Sequence, residues 1–200
     1  MPEESPARHV RDLHFSLAAY CGAPEKFFEY TPWFTNVDKM SIFGNRGTQR
    51  SWIPSFARLP QSVTSLTISS GTIALVQIRD FLLQLPNLDD LSLLGSLVMG
   101  DRNALPGVGT ALRGRFGGQL RLVGEYAGPD AINIFLEVPT GLSFSEVHIH
   151  SIYACLSPTV GLAEACGKTL VKLSYGVTIH GKSLPISLLL GPRVLARERH

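Results

Sequence analysis

The side chains with the most chemical promise are Glu146, His148 and His150. In an extended strand, alternate positions share one face, so two imidazoles and a carboxylate would stand together. Such a set could begin a metal site, but no further ligand of suitable spacing is evident in the sequence. The three therefore read as polar residues on the open face of a sheet, with no metal. Ser174 would meet His148 from a neighbouring strand, an arrangement that is common on sheets. No nucleophile elbow, His-Glu-x-x-His or Cys-x-x-Cys motif accompanies the pair.

Two glycine-rich segments come near to nucleotide-binding motifs and fall short of them. Gly161 and Gly167-Lys168-Thr169 are separated by five residues. A phosphate loop needs four, so that successive amides curl around the phosphates and a helix follows. Here a helix precedes Gly167 and a strand follows, so the glycine reads as a helix terminator. Gly107-Val108-Gly109 opens like a dinucleotide fingerprint, but Leu112 stands where the third glycine belongs. No cofactor is expected, and the chain does not read as an enzyme.

Positioning these residues is the task of a periodic framework. An apolar-x-x-apolar-x-apolar pattern recurs at Val10-Leu13-Phe15, Val37-Met40-Ile42, Val63-Leu66-Ile68 and Leu88-Leu91-Leu93. It continues at Phe144-Val147-Ile149 and Leu170-Leu173-Tyr175, with a degenerate copy at Gly117-Leu120-Leu122. The middle residues are spaced by 27, 26, 25, 29, 27 and 26 positions.

The gaps carry helix signals. Pro24 to Tyr30 and Ile73 to Leu85 read as helices, the second closed by Pro86-Asn87. Asp130 is the expected N-cap of a helix from Ala131 to Glu137. Ser157-Pro158 opens another, running to Cys166 and stopping at Gly167. A strand and a returning helix in each interval predict an α/β solenoid of the leucine-rich-repeat type, about seven irregular units of 25–29 residues with a curved parallel sheet. Seven strands would give a sheet roughly 30 Å across. An ordinary α/β layer fold is the alternative. The expected organisation is a polar segment 1–9, the repeat domain 10–181 and a C-terminal extension or cap 182–200.

Two segments carry a family resemblance. Leu82-Leu83-Gln84-Leu85-Pro86-Asn87-Leu88 through Leu93 resembles the helix-to-strand junction of leucine-rich repeats. Leu162-Ala163-Glu164-Ala165-Cys166 through Leu173 is similar to the cysteine-containing repeats common in F-box proteins. From about Val10 to Gly181 the chain resembles the repeat region of fungal F-box-like proteins, without the F-box helices and their Leu-Pro-x-Glu-like start. The resemblance implies the substrate-recognition part of an F-box-type ubiquitin-ligase adaptor lacking its F-box. A truncated remnant without a partner and a small α/β enzyme are the alternative readings.

Composition narrows the partners. The chain is 44% hydrophobic and only 17% charged, so it can bury enough surface to offset its ordering entropy. A net charge of +2, with no dense Lys/Arg cluster, gives no reason to expect nucleic acid. No stretch is long enough to cross a bilayer, and Met1 to His9 is too polar for a secretory signal. Cys21, Cys155 and Cys166, odd in number and without metal spacing, read as buried thiols of an intracellular protein, cytoplasmic or nuclear. Residues between the inward apolar positions should face the concave surface and bind a protein. These include Lys39, Phe43, Asp90, Gln119, Arg121, Glu146, His148, His150 and Lys172, with the C-terminal half as the binding patch and Phe43 as an apolar anchor. The N-terminal edge should be exposed, to be covered by further sequence or by self-association.

Overall fold

The computed structural model describes residues 6–16, 33–44, 62–74, 85, 87–98, 117–124, 127–136, 142–152, 156–179 and 182–189. Each apolar triplet that falls within them runs into a strand. In chain order these are β1 (Asp12–Ser16), β2 (Lys39–Phe43), β3 (Ser65–Ala74), β4 (Asp90–Val98) and β5 (Gln119–Gly124). They continue as β6 (Glu146–Ser151) and β7 (Lys172–Ile179), and an eighth strand without a triplet, β8 (Lys182–Leu189), follows. All eight form one open sheet in sequence order. The first seven are parallel, and β8 returns antiparallel along β7. With two described helices, the fold is α/β.

The register follows the apolar pattern. Leu13, Met40, Leu66, Leu91, Leu120, Val147 and Leu173 are successive cross-strand partners, one from each parallel strand. A second row joins Ile42, Ile68, Leu93, Leu122, Ile149 and Tyr175. From Met40 to Leu173 the first row is buried, as is the second from Ile42 to Ile149, and both belong to one apolar core. A one-residue slip would turn every such side chain to the opposite face, so burial pins the register.

The strands begin in a repeated backbone device. The carbonyls of Arg11, Asp38, Thr64, Gly118 and Ser145 each accept two amides from the start of the next parallel strand, at 2.8–3.2 Å. Between β4 and β5 a side chain intervenes, and the Gln119 amide donates to Asp90 Oδ1 at 2.8 Å. Gly118 has φ +66, and a Cβ there would meet Asp90 Oδ1 at 2.5 Å and the Asp89 carbonyl oxygen at 2.8 Å. This is the degenerate, 29-residue interval: its triplet begins in glycine, and its strand start is rebuilt around a carboxylate.

Polar residues just before the triplets add a second ladder. Ser62 Oγ donates to the Val37 carbonyl (2.8 Å), and Thr169 Oγ1 lies between two carbonyls, 2.7 Å from that of Cys166 and 3.3 Å from that of Phe144. At the same position Asn36 Nδ2 donates to the Arg8 carbonyl at 2.7 Å. The Ser62 and Asn36 bonds reach back to the preceding interval and give its carbonyls a partner.

Helix α1 (Pro129–Leu136) buries Ala131, Ile132, Ile134 and Phe135, and Phe135 meets Phe144 edge-on with ring centroids 6.3 Å apart. Helix α2 (Leu156–Cys166) buries Thr159, Leu162 and Cys166. Gly167, at φ +53, ends it in the left-handed region, as the sequence predicts. Both helices start earlier than expected. Pro129, with φ preset and no amide to satisfy, begins α1, so Asp130 lies in its first turn rather than capping it. Ser157 likewise lies inside the first turn of α2.

A larger correction concerns Ile73, expected to open a helix. Ile73 and Ala74 extend β3 and pair with Leu97 and Val98 after a register shift near Ser70. The β-branched Thr67, Ile68, Thr72 and Ile73 favour extended backbone, and the long β4 beside them completes their hydrogen bonds. At the other end of that predicted helix Leu85 is buried but not helical; residues 75–84, and the predicted helix at 24–30, lie outside the described residues. So does Glu137.

Candidate functional site

The face opposite the core is polar because the intervening strand positions carry polar types. On β6 the burial alternates, with Val147, Ile149 and Ser151 buried and Glu146, His148 and His150 partly open. The same alternation on β5 turns Gln119, Arg121 and Val123 outward. Parallel register then gathers side chains from separate intervals: Gln119, Glu146 and Lys172 are partners, as are Arg121, His148 and Ser174, and Val123, His150 and Gly176. Gln119, Arg121, Glu146, His148, His150 and Lys172 therefore form one cluster.

Glu146 is its hub. Its Oε2 is 3.1 Å from His148 Nε2, 3.4 Å from Gln119 Nε2 and 3.5 Å from Lys172 Nζ. The hydrogen bond from His148, then the charge of Lys172, hold the Glu146 carboxyl below the usual glutamate range against a smaller opposing effect of burial. His150 faces away from this hub, with its Nε2 2.9 Å from Thr178 Oγ1. Its ring lies over Gly176, where a Cβ would come within 2.8 Å of His150 Nδ1. The two histidines thus serve different partners. Among the described residues no group of three metal-ligating side chains could hold an ion.

Beside the hub lies an open hollow of about 600 Å³, lined by Gln119, Arg121, Val123, His148, His150 and Ser174, with Tyr175 and Gly176 of β7 and the exposed Ile186 of β8 completing its lining. Arg121 is exposed and has no hydrogen-bond or ion-pair partner among the described residues.

The other predicted residues stand elsewhere on the same face. Lys39 and Asp90 share a row through Ser65, and Asp90 is committed to the Gln119 amide. Phe43 is 42% exposed and stacks on His14, with centroids 6.3 Å apart and planes at 19°. Neither Lys39 nor Phe43 lines the hollow.

Sequence reading missed β8, whose pairing with β7 bounds the hollow on one side. The signal was present: Val177-Thr178-Ile179 and Lys182-Ser183-Leu184 are separated by two residues that include a glycine, a spacing that favours a hairpin. Pro185 is tolerated because β8 lies at the edge of the sheet.

No protein-family model matches this chain, and no curated protein matches it. What is shown is an α/β protein with a parallel sheet. Among the described residues no helix is long and apolar enough to cross a membrane.

Proposed function

We propose that the chain is a leucine-rich-repeat-like solenoid whose open sheet face binds another protein. The reading is supported chiefly by one observation: in-register parallel strands bring polar side chains from three separate intervals around a single hollow. A surface assembled this way presents many intervals to one ligand at once, as stacked-repeat proteins do. The two hydrogen-bond ladders that link successive intervals fit a stack of similar units.

A role as the recognition part of an F-box-type adaptor, inside the cell, rests on the sequence resemblance at 82–93 and 162–173. Its test is whether an F-box precedes these residues in the full reading frame.

The binding role is tested by capture from cell extract with the wild-type chain, the double variant Arg121→Glu/Lys172→Glu, and Glu164→Lys on exposed α2 as a control. The proposal expects a protein set retained by wild type and the α2 variant and lost by the double variant. Identical sets from all three would overturn it.

A further inference from the structure

We infer that the hollow beside Glu146 is a seat for an acidic peptide segment of the protein partner, one carboxylate resting on Arg121 and an apolar neighbour on Val123. The inference rests on the binding role proposed above and names the chemistry of the partner.

Charge decides the sign. Arg121 is the only permanently charged side chain lining the hollow among the described residues, and no carboxylate lines it. The nearest acid, Glu146, already gathers three donors on one oxygen, one of them the Lys172 ammonium. Its negative charge is thus answered locally, while the Arg121 guanidinium has no counter-charge within contact among the described residues. A guanidinium held open on a concave surface matches a carboxylate with two parallel N–H···O bonds. His148 and His150 stand on the neighbouring strand and can add donors but no fixed negative charge.

Shape decides the neighbour. Val123 is one strand position beyond Leu122 and pairs with Leu94, so two half-buried apolar side chains lie side by side next to Arg121. An acidic side chain followed by an apolar one would meet both features. The hollow is open along the sheet, which suits an extended segment better than an enclosed small molecule.

The test uses the full chain immobilised and probed with degenerate peptide libraries. One position is fixed as glutamate, glutamine, lysine or phosphoserine, and leucine is fixed beside it. The glutamate library should be enriched over the glutamine and lysine libraries, and peptides recovered from it should bind Arg121→Gln roughly tenfold more weakly. Binding should also weaken as salt rises. An unchanged melting curve for Arg121→Gln would show that the loss is local. Equal retention of glutamine peptides, retention of phosphoserine peptides alone, or full binding by Arg121→Gln would each overturn the inference. If lysine or neutral peptides bind instead, the acidic-peptide assignment fails while the binding role stands. If no library binds and capture from extract is also insensitive to charge reversal, both fail.

Discussion

Three donors on one oxygen make Glu146 sensitive to its neighbours in a graded way. Replacing His148 with Phe removes the largest single influence, and both it and Lys172→Met should raise the Glu146 titration midpoint, as read by NMR of the side-chain carboxyl. The sign for stability follows from linkage. A carboxyl depressed in the folded state contributes above the unfolded glutamate value and loses that contribution as pH falls through the folded value. Acid should therefore loosen the β6–β7 side of the polar face. An unchanged midpoint in either variant would argue against the observed geometry. Cys166 behaves oppositely. Burial pushes its thiol up to about 11, with a backbone contact from Phe144 opposing weakly. The neutral thiol dominates at neutral pH, so Cys166 should resist alkylation in the native chain and react after denaturation, as followed by peptide mass mapping. Here the raised value means stability falls as pH climbs above the ordinary thiol range toward the folded value.

Each strand depends on how it begins, and β5 begins in the least regular way. Gly118 sits in the left-handed region against Asp90 and the Asp89 carbonyl, so Gly118→Ala should cost about 1–3 kcal/mol in a denaturant melt. A change within experimental error would contradict the tight approach of β4 to β5. The strands themselves were legible because burial has a period of two and the triplets show it. Even the degenerate start at Gly117 kept Leu120 and Leu122, both fully buried. Helix ends were less legible, since proline begins a helix as readily as an acidic or hydroxyl residue caps one. Ile73 misled because Ile73, Ile78, Leu82 and Leu85 fit a helical face in sequence, while the length of β4 that recruits Ile73 into a strand is a tertiary fact. The polar ladder of Asn36, Ser62 and Thr169 was visible as a polar residue before each of these triplets. Its role could not be read without knowing which carbonyl lay opposite. The outward residues of the site were legible from alternation alone, whereas the hub at Glu146 required the register between β5, β6 and β7.

Across the whole molecule, one sheet turns separated stretches of sequence into two continuous surfaces, one apolar and one polar. Its β1 edge has no pairing strand on its outer side among the described residues. Open strand edges invite pairing, so the isolated chain should associate as concentration rises, and Ser16→Lys, placing a charge at an exposed position of the edge strand, should weaken that association. Sedimentation showing the same monomer at every concentration would contradict an open edge. The core rows extend through the sheet, and Leu120→Ala in the middle should lower stability by about 2–5 kcal/mol, since its side chain is fully buried. The polar face exists only if the apolar row beneath it is ordered as described. The most direct measurement is methyl NMR on the selectively labelled chain, following contacts along that row. The expected result is a sequential chain of cross-peaks from Met40 to Leu66, Leu91, Leu120, Val147 and Leu173, each residue seeing only its immediate partners in the row. Cross-peaks that skip a member, such as Leu66 to Val147 without Leu91 and Leu120 between them, would contradict the sheet and the binding face built on it.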